Sequence, residues 1–170
     1  MTDHHVAMFP GSFDPPTLGH VNIIHRSLRL YDRLYVVVAD NISKKCLFTA
    51  QERVDMLKDI FRDSDNIVVV SYDGLMVDFA RRNGIGVMIR GVRAMGDFSY
   101  EFELAMTNKQ MMSDLEVLFM PTDPSYFMLR SSQIKEMAAF GADVSSLVPE
   151  QVVRLLREKI VPASPLHDER

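Results

Sequence analysis

Short apolar runs alternate with longer amphipathic segments along the 170 residues of this chain. Five of the runs predict β-strands, at residues 6–9, 34–39, 67–71, 87–90 and 117–120. They are apolar almost throughout, with little alternation of polar residues. This pattern is typical of parallel strands that are covered on both faces of a sheet.

The segments between these runs carry helical signals. After the first run, apolar residues recur at helical spacing: Val21, Ile24, Leu28 and Tyr31. Thr49 and Glu52 have the spacing of a capping box, which predicts the start of a second helix. Further helices are predicted at 75–82, 98–112, 132–140 and 150–159.

Strands and helices therefore alternate, which predicts an α/β fold with right-handed crossovers. We expect a single Rossmann-like domain, with a five-stranded parallel sheet and helices on both faces. The domain is assigned to residues 1–161, and the polar residues 162–170 are expected to form a flexible tail.

The composition of the chain argues against several classes of protein. The chain is 47% hydrophobic and 25% charged with a formal net charge of -4, so a general affinity for nucleic acid is not expected. No apolar run reaches the ~20 residues of a membrane span, and the N-terminus lacks a secretory pattern. The single cysteine, Cys46, forms no internal disulfide or cysteine metal cluster. We expect a cytoplasmic protein that does not bind membranes.

Ligands of open α/β sheets bind outside the carboxyl ends of the strands. The loop after the first strand, "PGSFDPPTLGH", offers Gly11 for close backbone approach and the hydroxyl of Ser12. It ends at His20, where the start of a helix favours an anion. The alternative is that the loop is a plain turn and that His20 only caps the helix.

Cationic residues follow two further strands. Lys44 and Lys45 lie in the second loop, where a solvated pair is the simpler interpretation for Lys45. After the fourth strand, Arg90 and Arg93 flank Gly91 and suit polyphosphate recognition. A structural pair between Arg93 and Asp97, one helical turn apart, is a competing interpretation that can coexist with it.

The last loop ends in "YFMLRSSQIKE". Ser131 or Ser132 can cap the following helix and present its amides to an anion. Capping alone does not account for the neighbouring cation, Arg130. The run from Ser132 to Lys135 matches the Ser-x-x-Lys pattern of penicillin-binding proteins, but their other motifs are missing, so no such site is inferred.

These motifs together resemble a known family. Thr17-Leu18-Gly19-His20 is similar to the His/Thr-x-Gly-His signature of a nucleotidyltransferase superfamily. The segments "SKKCLFTAQERVDM", "GLMVDFAR" and "IRGVRAMGDFSYEFELAMTNK" resemble bacterial phosphopantetheine adenylyltransferases, and the similarity runs from about residue 9 to 159. It implies a coenzyme A biosynthetic enzyme that makes 3′-dephospho-coenzyme A and pyrophosphate from ATP and 4′-phosphopantetheine.

The resemblance also implies residue roles. The expected catalytic residues are His20, Lys44 and Arg93. The expected phosphopantetheine-binding residues are Ser12, Lys44, Met76 and Arg90. The expected ATP-binding residues are Ser12, Phe13, His20, Gly91, Val92, Arg93, Glu101, Tyr126, Phe127, Met128, Leu129, Arg130, Ser131 and Ser132. Arg130 departs from the family, which usually has a serine there, so the contact assigned to it stays open.

The chemistry favours direct in-line attack. A phosphate monoester with a second pKa near ~6 is already mostly a dianion at neutral pH, so it needs no strong general base. Mg²⁺ is expected to be bound mainly by the triphosphate, because the sequence has no acidic metal cluster. The resemblance further implies a homohexamer, and family members are often inhibited by coenzyme A.

Three other functions are less consistent with the sequence. A nicotinate-mononucleotide adenylyltransferase shares the first loop, but the segment around Arg90 and Arg93, together with Lys44, favours phosphopantetheine. A non-catalytic nucleotide-binding protein would not need the whole set of cationic residues. A redox enzyme on a dinucleotide fold lacks its glycine fingerprint.

Overall fold

Five strands and six helices follow one another in the computed structural model, which describes residues 3–40, 45–127 and 129–160. The strands are β1 (Asp3–Gly11), β2 (Arg33–Ala39), β3 (Ile67–Tyr72), β4 (Ile85–Val92) and β5 (Glu116–Pro121). The helices are α1 (Leu18–Ser27), α2 (Ala50–Ile60), α3 (Met76–Arg82), α4 (Met95–Met111), α5 (Ser131–Ala139) and α6 (Glu150–Lys159), with a short 3-10 turn at Pro124–Tyr126. The predicted tail, 162–170, lies outside the described residues, and the domain boundary stays a prediction.

All five strands pair in parallel in the order β3-β2-β1-β4-β5, so the predicted Rossmann-like sheet is confirmed. Each predicted strand is found, and all five are longer than the apolar run that indicated them. The predicted bounds of α6 match, whereas α1 ends at Ser27, before the predicted Leu28 and Tyr31. Helix α4 begins at Met95, three residues before the predicted start.

Helices cover both faces of the sheet, as predicted. One face packs against α1 and α2 through a buried cluster that includes Ile24, Leu57 and Val36. The other face packs against α3 through Val77 and Ala80. A third cluster joins α2, α5 and α6 beyond the sheet: Phe48, Met56, Ile134, Val144, Val148, Val152 and Leu156. The last two helices thereby lie next to the loops that follow β1 and β2.

The order of the strands creates a crevice between β1 and β4. The chain builds the sheet outward from β1 to β3 and then returns to the other side of β1 with β4. The loops after β1 and β4 therefore diverge, which is where ligands bind in open α/β sheets. Gly91 lets α1 lie close to β4 here, since a Cβ on this residue would collide with Cδ1 of Ile23.

Candidate active site

A cleft of about 430 Å³ opens at the carboxyl ends of β1 and β4. Its walls come from three segments of the chain: the loop after β1, the end of β4 with α4, and the residues that lead into α5. The lining residues of these segments range from Phe9 to Lys135 in the sequence, and the parallel pairing of β1 with β4 helps to bring them together.

The loop after β1 ends in a tight cap on α1. Thr17 is the N-cap residue, and its hydroxyl accepts a hydrogen bond from the backbone amide of His20. The His20 ring returns the contact, because its Nδ1 accepts a hydrogen bond of 3.0 Å from the amide of Thr17. His20 therefore does cap the helix, as the simpler interpretation predicted, and it also lines the cleft.

The cap determines which nitrogen of His20 carries a proton. Burial, together with the smaller effect of the nearby charge of Arg93, lowers the pKa of His20 from its ordinary value of 6.5 to about 4. The ring is neutral at physiological pH, and its Nδ1 accepts from Thr17, so the proton lies on Nε2. The rings of Phe13 and Phe9, with centroids 5.0 and 6.4 Å away, pack against the imidazole.

Arg90 forms a two-pronged ion pair with a glutamate of α4. Its Nε and Nη2 donate to the two carboxylate oxygens of Glu101 over 2.6 and 2.7 Å, and its Nη1 donates to the carbonyl oxygen of Pro10 over 3.0 Å. Both charged side chains are largely buried. This planar arrangement is the one in which arginine binds carboxylates most tightly.

Arg93 and Arg130 share one carboxylate. Arg93 donates to Asp97 over 3.2 Å, so the predicted structural pair is present, and its Nη1 donates to the carbonyl oxygen of Leu129 over 2.8 Å. Arg130 reaches the other oxygen of Asp97 at 3.5 Å. The residue that replaces the expected serine thus joins a cluster of two guanidinium groups around Asp97, on the rim of the cleft.

The last loop does not cap α5 in the predicted way. The N-cap residue is Arg130, and its side chain makes no capping hydrogen bond, so the prediction of a serine cap was wrong. Ser131 instead donates to the carbonyl oxygen of Pro15 over 2.9 Å. The hydroxyl is used to join α5 to the first loop, which brings the start of α5 to the edge of the cleft.

A buried carboxylate, Asp14, was missed by the sequence reasoning. It accepts hydrogen bonds from the amides of Leu47 and Phe48 over 3.0 and 2.9 Å, and from the ammonium group of Lys135. Burial alone raises the pKa of Asp14, but Lys135 and the two amides outweigh this effect and lower it. Lys135 belongs to the Ser-x-x-Lys pattern that was set aside, and the structure gives that lysine a structural partner.

A second cleft, of about 470 Å³, adjoins the first. It lies over β4 between the loop after β2, the start of α3 and the inner side of α4. Met76 lines it, and Arg90 and Glu101 line both clefts. The ion pair between these two side chains therefore forms a wall that the clefts share.

Most of the residues predicted for the site come together. Those that line the first cleft are Ser12, Phe13, His20, Arg90, Gly91, Arg93, Glu101, Tyr126, Leu129, Arg130, Ser131 and Ser132. Val92 and Phe127 line neither cleft: the carbonyl oxygen of Val92 accepts from the amide and hydroxyl of Thr122, and the Phe127 ring is about half exposed. Lys44 and Met128 lie outside the described residues.

Over the described part of the chain, no helix is long and apolar enough to cross a membrane.

Comparisons with known proteins place these features in a family context. Residues 8–137 match the family model described as cytidylyltransferase-like. A phosphopantetheine adenylyltransferase of Dictyoglomus thermophilum is 46% identical over 90% of this chain and 93% of its own length. The protein of the same name from Syntrophus aciditrophicus is 44% identical over 91% of this chain and 93% of its own length.

A solved structure is also similar in fold. It is described as a candidate nicotinate-nucleotide adenylyltransferase from Vibrio parahaemolyticus, and it covers 89% of this chain and 97% of its own with a TM-score of 0.66. At 19% identity this likeness concerns the fold alone.

Proposed function

The chain belongs to the phosphopantetheine adenylyltransferase family, whose members transfer the adenylyl group of ATP to 4′-phosphopantetheine, and we propose that the two adjoining clefts hold these two substrates. The enzyme makes 3′-dephospho-coenzyme A and pyrophosphate. The proposal assigns ATP to the cleft that contains His20 and Arg93. It assigns phosphopantetheine to the cleft that contains Met76.

One observation carries this assignment: Arg90 and Glu101 line both clefts. A reaction that joins two anionic substrates needs two binding sites that meet at one point, with cationic groups at the junction. Arg90 lies at that junction and can receive the phosphate of the acceptor. In this proposal Glu101 gives up its ion pair with Arg90 when the substrates bind. It then contacts ATP, the role that the family resemblance assigns to it.

The chemical step requires positioning more than proton transfer. The acceptor phosphate, as a dianion, attacks the α-phosphorus in line with the leaving pyrophosphate, and no covalent enzyme intermediate forms. The neutral imidazole of His20 donates its Nε2 proton as a hydrogen bond to the developing charge, and Arg93 adds a positive charge beside it. Lys44, outside the described residues, keeps its proposed role of holding the attacking phosphate.

Mg²⁺ is proposed to enter this cleft bound to the nucleotide. Within the described ranges, no three His, Cys, Asp or Glu side chains converge to form a metal site. The triphosphate would therefore supply most of the ligands, and the ion would neutralise charge on the phosphate oxygens.

The function is tested by pyrophosphate release. Purified protein with ATP and Mg²⁺ should release pyrophosphate with 4′-phosphopantetheine, and mass spectrometry should identify dephospho-coenzyme A. Release with nicotinate mononucleotide in its place would contradict the choice of acceptor. Binding of ATP without release with either acceptor would favour a non-catalytic nucleotide-binding protein.

We also propose that the chain assembles as a homohexamer through α4. The number six rests on the family resemblance, and the choice of surface rests on the large apolar side chains that α4 exposes outside the clefts: Met95, Tyr100, Phe102, Met106 and Met111. Tyr100→Asp combined with Met106→Asp should lower the mass measured by light scattering. An unchanged mass would exclude this face.

Coenzyme A is proposed as a feedback inhibitor that acts in the same two clefts. It differs from the product dephospho-coenzyme A only by a phosphate on the ribose, so both halves of the molecule match the proposed sites. Inhibition should compete with ATP, and inhibition without such competition would contradict this view. Because ATP is supplied inside the cell, the cytoplasm is the proposed location.

A further inference from the structure

A buried arginine outside the predicted site connects the loops of the two clefts. Arg53 lies in the first turns of α2 and is 1% exposed. Its guanidinium group donates hydrogen bonds of 2.8 to 3.2 Å to five acceptors: the carbonyl oxygens of Ser12, Ala39, Phe48 and Thr49 and the carboxylate of Asp40.

These acceptors belong to residues that line two different clefts. Ser12 lines the proposed ATP cleft, whereas Ala39 and Asp40 line the proposed phosphopantetheine cleft. Nη1 of Arg53 donates to the carbonyl oxygens of both Ser12 and Ala39, at 2.8 and 3.2 Å. One planar, rigid group therefore fixes the backbone of the first cleft relative to that of the second.

The arrangement is costly if its purpose is only to stabilise α2. Burying a guanidinium group requires that its charge and its N–H groups be satisfied. The one carboxylate that accepts from it, Asp40, is about half exposed, and the remaining acceptors are neutral carbonyl oxygens. An apolar residue at this buried position would avoid that cost, so the charge and the fork geometry themselves need an explanation.

We propose that Arg53 is a positioning residue that sets the separation between the two substrates by holding the turn after β1 and the end of β2 together. This inference rests on the proposed function. Arg53 lines neither cleft, so its replacement should leave the affinity for each substrate nearly unchanged. It should instead lower the rate of the step in which the two reacting groups must be aligned.

Small errors of alignment have large effects on such a step, since a displacement of about 1 Å can cost on the order of 10²-fold in rate. Lysine cannot replace the guanidinium group. Its ammonium is a point charge with three donors on one nitrogen, whereas the planar guanidinium group uses three nitrogens to reach five acceptors.

The test compares Arg53→Lys with Ile85→Ala. Ile85 is fully buried at the amino end of β4, the end opposite the clefts, so its truncation destabilises the fold without touching the site. For Arg53→Lys we expect kcat to fall by at least about 30-fold while the KM of each substrate changes by less than about threefold. For Ile85→Ala we expect kcat within about twofold of the original at temperatures where the protein is folded.

Hydrogen exchange supplies a readout that does not depend on activity. The backbone amides of residues 11–14 and 45–48 should exchange faster in Arg53→Lys and should keep their rates in Ile85→Ala. If Arg53→Lys fails to fold, Asp40→Asn removes the ionic partner alone and should still accelerate exchange at residues 11–14 and lower kcat by about threefold or more.

The proposal is overturned if Arg53→Lys keeps its kcat, or if Ile85→Ala loses kcat to the same extent. If Asp40→Asn is used instead, the proposal is overturned when both the hydrogen exchange of residues 11–14 and kcat are unchanged. A failure of the proposed function looks different, because the original protein would then release no pyrophosphate. The exchange of residues 11–14 would still decide whether Arg53 holds the turn.

Discussion

The backbone amide of Thr17 donates a hydrogen bond to Nδ1 of His20 over 3.0 Å. This single contact makes the histidine both the cap of α1 and a directed donor, because the remaining proton of the neutral ring is then on Nε2. The structural interpretation of the first loop is therefore confirmed for His20, and its binding of an anion stays a prediction.

Replacing His20 with alanine should mainly slow turnover. We expect kcat to fall on the order of 10²-fold or more, as happens when one donor to a developing oxyanion is removed. His25, an exposed residue of the same helix, provides the matched control, and His25→Ala should keep kcat within about twofold. Steady-state pyrophosphate release measures both, and unchanged turnover in His20→Ala would remove His20 from the mechanism.

The ionisation of His20 should be visible in solution. Because burial lowers its pKa to about 4, the ring stays neutral through the working range of pH. We expect the acid limb of kcat/KM to follow the phosphate of the acceptor, near pH ~6, and NMR titration of the free enzyme to find His20 near pH 4. A His20 signal that titrates near 6.5 would contradict this environment.

The same shift predicts a dependence of stability on pH. Above pH 6.5 the His20 ring is neutral in both the folded and the unfolded chain, so it does not make the free energy of unfolding depend on pH. Between 6.5 and 4 the unfolded chain binds a proton that the folded chain does not, so the free energy of unfolding should decrease as the pH falls. His20→Gln should lose this part of the slope in urea unfolding, and an unchanged slope would show that other groups cause it.

Arg90→Ala should weaken the binding of phosphopantetheine more than the binding of ATP. Loss of a charge-assisted contact to phosphate should raise the KM of phosphopantetheine by about tenfold or more, with a smaller effect on the KM of ATP. Arg62→Ala, which removes an exposed arginine just after the end of α2, is the control. A normal KM for phosphopantetheine would exclude the assigned role.

The ion pair between Asp14 and Lys135 should stabilise the fold more than a comparable surface pair. Asp14→Asn should lower the free energy of unfolding by about 3 kcal/mol, because it leaves Lys135 with a weakened partner in a largely buried place. Lys159→Met, which breaks a more exposed pair with Glu52, should cost less than about 1 kcal/mol. Equal losses in the two variants would argue against a special role for Asp14.

The sheet could be predicted from the sequence because its strands are short, apolar and separated by helical patterns. The loops that carry the site followed from the rule for the carboxyl ends of parallel strands. His20 and Arg93 were found in this way, since cationic and glycine-rich segments stand out after an apolar run.

The contacts that hold the site together could not be predicted in the same way. Asp14 and Lys135 are 121 residues apart, and nothing near either residue indicates the other. Arg53 binds mostly carbonyl oxygens, which every residue carries and which leave no mark in the sequence. At the start of α5, the hydrogen bond from Ser131 to Pro15 is a tertiary contact that outweighs the local preference for a serine cap.

The central position of β1 has a consequence for the synthesis of the chain. Strands β1, β2 and β3 can pair as soon as the first 72 residues have emerged, but the crevice needs β4 on the other side of β1 and then α5 against the first loop. A chain that stops after Asn83 contains the histidine loop and lacks the three arginines and the two serines of α5 that line the same cleft. The proposed ATP cleft therefore forms only after the second half of the polypeptide has packed against the first. ATP can stabilise the complete fold but not a partly synthesised chain.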